Sequence, residues 1–136
     1  AWVSRLFAED IFYLRSRRWL EEVTARGEHL TAPALLLPEV AGALARRTGD
    51  GRLGRKAVRI LLRFPNLRLV LVRPALATEA ANLAADLRLR GSDALYVSVA
   101  ARLNLPLVTW DQEQLQRAKG VIAVGTPDEF RLSPGI

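Results

Sequence analysis

No cysteine occurs among the 136 residues, so the chain has neither disulfides nor thiolate metal ligands. His29 is the only histidine, which leaves hard oxygen donors as the ligands for any bound ion. Methionine is absent too, including an initiator. Of the 20 basic residues only Lys56 and Lys119 are lysines; the others are arginine. No apolar run approaches the roughly 20 residues of a membrane span, and no signal-peptide pattern opens the chain. A cytoplasmic location without membrane contact is the resulting expectation. There is no glycine-rich phosphate loop, no Ser/His/Asp set and no Cys/His cluster. Repeats, low-complexity tracts and long linkers are missing as well.

What is present is half hydrophobic residues in a length suited to one core, so residues 1–136 are expected to form a single domain. The net charge of +6 rests on arginine, whose planar fork suits bidentate phosphate contacts. Such an excess fits a polyanionic partner, because neutralised phosphates release their counterions. It equally fits a solvated basic surface.

Helical and extended patterns alternate along the chain. Residues 1 to about 26 predict a helix, with Leu6, Ile11, Leu14, Trp19 and Val23 at helical intervals. Leu30 to Pro33 is a strand candidate. A helix from about Leu35 to Arg47 ends at the turn Thr48-Gly49-Asp50-Gly51, and another spans about Leu53 to Phe64 before Pro65-Asn66. Leu67 to Val72 predicts a strand, and Leu76, Ala80, Leu83 and Leu87 mark a helix broken at Arg90-Gly91. A helix from Ser92 to about Leu103, a strand at Leu107–Trp110, a polar helix from Gln112 to Lys119 and a strand at Val121–Val124 complete the series. This alternation predicts an α/β fold, a central parallel sheet covered on both faces. Ligands of such sheets gather beyond the carboxyl ends of the strands.

Three acids fall near that edge: Glu39 within an apolar stretch, Asp93 at a helix start and Asp111 at a strand end. Each has a structural explanation. Ser92 reads as an N-cap with Asp93 favourable to the helix dipole. Asp111 reads as an N-cap with Gln114 as capping-box partner. Pro38-Glu39 suits a first helical turn. Their shared position is what points to a site that holds a hard cation. Thr109 is a candidate for orienting a ligand or water. Arg46, Arg47, Arg88 and Arg90 flank the acid-bearing segments and are candidate contacts for a nucleic-acid backbone. His29 reads as a loop residue, the three tryptophans as core or interface, and Glu21, Glu22, Glu79 and Asp86 as solvated helix faces.

The order Pro38-Glu39-Val40, then Gly91-Ser92-Asp93-Ala94-Leu95-Tyr96-Val97, then Leu107-Val108-Thr109-Trp110-Asp111 resembles a PIN domain over essentially the whole chain. Within that group it is most similar to VapC-type toxins of toxin–antitoxin pairs. The resemblance implies a PIN-like α/β/α sandwich and a metal-dependent endoribonuclease. Glu39, Asp93 and Asp111 would bind Mg²⁺ or Mn²⁺ and carry catalysis. It also implies a homodimer and a cognate antitoxin, with Trp2, Leu6, Phe7 and Ile60-Leu61-Leu62 as candidate contact surfaces.

The chain departs from the family at its start. The family opens with a central strand that ends in another acid, ahead of a helix resembling Ala1-Trp2-Val3-Ser4-Arg5-Leu6. The first strand and its Asp are therefore expected to be missing, and the chain to be an incomplete version of its natural form. Glu9 and Asp10 fall too far along that helix to substitute. A non-catalytic RNA-binding or regulatory PIN-like module is the alternative, and another phosphate-handling α/β domain is a third reading.

Overall fold

The computed structural model describes residues 1–7 and 14–130. Five strands form one parallel sheet: β1 (Trp2–Ser4), β2 (Leu30–Pro33), β3 (Leu67–Val70), β4 (Leu107–Val108) and β5 (Val124–Gly125), in the order β3-β2-β1-β4-β5. Between them run α1 (Leu14–Ala25), α2 (Leu36–Thr48), α3 (Gly51–Leu62), α4 (Pro74–Leu87), α5 (Gly91–Leu103) and α6 (Gln112–Ala118). The α/β class and the parallel sheet agree with the alternation in the sequence.

The centre of the sheet corrects the sequence reading. Trp2–Ser4, expected inside a helix, form the middle strand: Trp2 is opposite Leu30, and Val3 faces Thr31 on one side and Leu107 on the other. The place of the strand expected to be missing is filled by these residues. A tripeptide with partners on both edges has its backbone bonds satisfied by the sheet, and that tertiary pairing overrides a weak local helical pattern. The remainder of the expected first helix begins at Leu14; Glu9, Asp10 and Ile11 lie outside the described residues. Leu6 and Phe7 are core residues, not a contact surface, while Ile60 and Leu62 are exposed.

Local chemistry explains most of the remaining boundaries. Gly49 closes α2 at φ 71°, a left-handed conformation that costs glycine nothing, and Asp50 caps α3 by accepting from the Arg52 N–H at 2.9 Å. Pro74 opens α4, where its missing N–H is harmless. The cap of α5 is Arg90, so Ser92 lies in the first turn instead of at the cap. Strand β5 starts later than expected, because Val121 and Ile122 turn back to donate to the Ala118 carbonyl.

Helix α5 packs across β1, β2 and β4, with Ala94, Tyr96, Val97, Val99 and Ala100 all buried. A helix apolar nearly all round must be enclosed, and α4 covers its outer side. Helices α2 and α3 pack as a pair. The Trp2 ring stands edge-on to Trp19 and Phe130, with centroids 5.0 Å apart in both cases.

Candidate active site

The chain leaves β1 toward β2 on one side and reaches β4 on the other, so the strand order reverses at the β1/β4 boundary. Crevices at such boundaries, beyond the strand carboxyl ends, are where open parallel sheets bind ligands. Asp111 follows β4 by three residues, Asp93 lies in the first turn of α5, and Glu39 in the first turn of α2 just after β2. The sequence therefore delivers all three acids to one end of the sheet.

Between the two aspartates stands Arg5, the first residue beyond β1, anchored by its N–H to the Val108 carbonyl at 3.1 Å. Its guanidinium lies 2.8 Å from Asp93 Oδ1 and 3.6 Å from Asp111 Oδ2. The same group lies over the Tyr96 ring, 5.6 Å from its centroid. Tyr96 in turn donates its hydroxyl hydrogen to Glu39 Oε1 at 2.9 Å. Glu39 thus belongs to the same cluster through one intervening tyrosine. Among the described residues, no three acidic or imidazole side chains are gathered into an ion cage.

Asp93 is 2% exposed, and burial pushes its carboxyl above the ordinary range. Arg5 opposes that shift and Asp111 adds to it, with smaller contributions from Arg90, which opposes it, and Glu113, which adds to it. Asp93 Oδ1 has no well-aligned hydrogen bond despite the short approach of Arg5. It is a buried carboxylate oxygen satisfied by charge alone.

Asp111 has two tasks. Oδ1 accepts from the Gln114 N–H at 2.8 Å, the cap expected from the sequence, and Oδ2 faces Arg5. Thr109, fully buried, accepts the Asp111 N–H at 3.1 Å and so fixes the backbone that aims this carboxylate. Gln114 does not close a capping box: its side-chain amide reaches the Asp93 carbonyl at 3.1 Å.

The arginine candidates divide by place. Arg90 caps α5 close enough to lower the Asp93 carboxyl's affinity for a proton. Arg88 sits two residues earlier, in a left-handed conformation at the end of α4. Arg46 and Arg47 occupy the last turn of α2, roughly 11 Å along the helix from Glu39 at 1.5 Å per residue. Arg5, Tyr96 and Gln114 were not singled out from the sequence as parts of the site. Tyr96 has a legible signal, since three residues after Asp93 it shares that acid's helix face. Arg5 has none until β1 is placed.

The PIN domain family profile matches residues 1–120. The chain is a PIN domain. Its fold is similar to a toxin–antitoxin complex from Klebsiella pneumoniae, with a TM-score of 0.65 and 19% identity over 93% of this chain and 97% of that one. It is similar to PAE2754 from Pyrobaculum aerophilum, with a TM-score of 0.63 and 22% identity over 90% and 87%. A third likeness is to VapBC2 from Rickettsia felis bound to a DNA fragment from its promoter, with a TM-score of 0.66 and 15% identity over 92% and 97%. Among curated proteins the comparison finds no match.

The donor chemistry of this PIN domain fits a hard divalent cation in one respect. Asp93 and Asp111 share a single positive charge, and the Arg5 guanidinium stands where that charge is needed. An ion and the guanidinium would compete for the same carboxylate oxygens.

Proposed function

We propose that this PIN domain is a VapC-type toxin, a divalent-metal-dependent endoribonuclease. The observation that carries the reading is the pair Asp93 and Asp111, held around one cation at the switch point of the sheet with Glu39 one hydroxyl away. Mg²⁺ or Mn²⁺ would be held by these two aspartates with Glu39 nearby, and would supply an activated water and charge neutralisation at the scissile phosphate. Thr109 and Gln114 orient the aspartates, and Tyr96 orients Glu39. Arg90 is the cation best placed to meet a phosphate beside Asp93; Arg46, Arg47 and Arg88 lie further out as backbone contacts. The +6 charge favours RNA over a neutral substrate.

The partner proposed is a cognate antitoxin, because two of the similar structures are described as toxin–antitoxin assemblies. An apolar groove of about 210 Å³, bordered by Val40, Ala57, Ile60 and Phe64, is the surface proposed for it. No helix among the described residues is long and apolar enough to cross a membrane. A homodimer acting in the cytoplasm, from one domain spanning residues 1–136, completes the reading.

Cleavage of RNA that needs Mg²⁺ or Mn²⁺, stops with EDTA and disappears in Asp93→Asn tests it. Undiminished cleavage by Asp93→Asn overturns it. A second reading, an RNA-binding module without turnover, is favoured by Arg5 in the carboxylate pair. Salt-dependent RNA binding that ignores EDTA, with no cleavage under any metal, would select it.

A further inference from the structure

Helix α3 carries Arg52, Arg55, Lys56 and Arg59, and Arg63 follows as its C-cap. These positions are three and four residues apart, so the five cations form one continuous stripe, neighbours roughly 5–6 Å apart between Cβ atoms. All five are exposed. From Arg52 to Arg63 the stripe runs roughly 16 Å along the helix axis. The opposite side of the helix is apolar and packs on α2, with Gly54 and Leu61 buried.

Charge compensation along this stripe is confined to its start. Asp50 caps the helix and binds the Arg52 side chain through two contacts of 3.2 Å. These hydrogen bonds hold the Asp50 carboxyl below its ordinary range, with a smaller contribution from Arg55. No acid among the described residues pairs with Arg55, Lys56, Arg59 or Arg63. Like charges at these spacings repel one another, so the stripe opposes its own helix and is relieved by an anion laid along it.

We infer that this stripe is a docking surface for an RNA phosphate backbone, separate from the carboxylate pair. The occupant must present several negative charges in a row, which a strand of phosphates does and a single anion does not. Arginine forks engage phosphate oxygens in pairs. A second copy of the chain placed symmetrically would set this stripe against itself, like charge on like. Helix α3 packs on α2 through its apolar side, so the stripe stays open to solvent on the side turned away from α2. Only the identity of the polyanion rests on the nuclease reading.

The test is binding of a short labelled oligouridylate to the whole chain in EDTA, followed by anisotropy over a range of KCl, so that no turnover is needed. The variant Arg55→Gln/Lys56→Gln/Arg59→Gln/Arg63→Gln is compared with Arg18→Gln/Arg68→Gln/Arg73→Gln/Lys119→Gln. The control removes the same charge from exposed positions elsewhere. The stripe variant is expected to lower the slope of log K against log salt by about 3, and to weaken binding on the order of tenfold or more. The control is expected to change the slope by less than half as much. Arg55→Gln/Arg59→Gln, a smaller change to the same stripe, should lower the slope about half as much, and circular dichroism reports whether each variant folds. Equal effects of the stripe and control variants overturn the inference. So does a stripe variant that loses binding to polyglutamate but keeps its RNA binding, since the occupant is then an acidic protein segment. RNA binding that depends on the stripe, without cleavage under any metal, sinks the nuclease reading and leaves this one standing.

Discussion

Gln114 donates its side-chain amide to the Asp93 carbonyl at 3.1 Å while its own N–H is held by the Asp111 carboxylate at 2.8 Å. One fully buried side chain thereby ties the start of α6 to the first turn of α5. The two aspartates keep their relation because their backbones are linked, not only because they share Arg5.

Replacing Gln114 with alanine should break that tie and leave a cavity. The lost hydrogen bond and the unpartnered Asp93 carbonyl together cost roughly 1–3 kcal/mol, with a further contribution from the empty volume. Urea denaturation of Gln114→Ala checks the stability. Under the proposed nuclease reading, RNA cleavage by the variant should fall even at temperatures where it is fully folded. Unchanged cleavage would show that the tie does not position the acids.

Asp93 makes stability depend on pH in a stated direction. Its folded-state carboxyl titrates above the ordinary value of 3.8, chiefly because it is buried. Between that value and its raised folded value, the folded chain binds more protons than the unfolded chain, so this group's contribution declines as pH rises. Asp93→Asn carries no such penalty. The variant should therefore gain stability relative to the parent as pH is raised from about 4 toward neutrality. Melting temperatures of both proteins across that range measure it, and a difference that stays flat would contradict the assignment.

How much of this was open to sequence reading depends on the range of the forces involved. The placement of Glu39, Asp93 and Asp111 toward one end of the sheet was legible because Pro38, Gly91 and the Asp111–Gln114 spacing punctuate the chain locally. That Arg5 holds only the two aspartates, with Glu39 reached through Tyr96, was not. The α2–α3 turn was legible for the same reason, through Gly49 and Asp50. Strand β1 was not. Three residues are too few to show a period of two, and Trp2-Val3-Ser4 joins Leu6 at a spacing that also suits a helix. Only Leu30 and Leu107 on either side make it a strand, and they are distant in sequence. Arg5 was illegible as a consequence, since its approach to the aspartates follows from where β1 ends. Gln114 was legible as a capping partner, but its bond to the Asp93 carbonyl needs α5 and α6 to be docked.

Gly54 tests the packing that carries Glu39. A Cβ at this position would lie 2.6 Å from the Ala41 carbonyl oxygen, a backbone atom that cannot swing away. Gly54→Ala should force α3 off α2 and cost roughly 1–3 kcal/mol or more, against the usual gain from removing a helical glycine. A stability rise in Gly54→Ala would mean that the two helices are not this close. Because α2 presents Glu39 to Tyr96, the metal-dependent reading further expects the displaced helix to weaken divalent-ion binding, measured by calorimetry.

Arg5 gives the sharpest test of whether the aspartate pair takes up a divalent ion. Its guanidinium is the countercharge of a carboxylate that is almost wholly buried, and removing one member of such a pair costs roughly 3–5 kcal/mol. Arg5→Ala should accordingly lower the melting temperature in EDTA. Under the metal-dependent reading, the vacated space lets a divalent ion take over both aspartates, so Mg²⁺ should raise the variant's melting temperature more than the parent's. Thermal scans of both proteins with and without Mg²⁺ decide it. Equal stabilisation of parent and variant would mean that Arg5 and the ion do not compete for these oxygens, and the metal would then have to bind elsewhere.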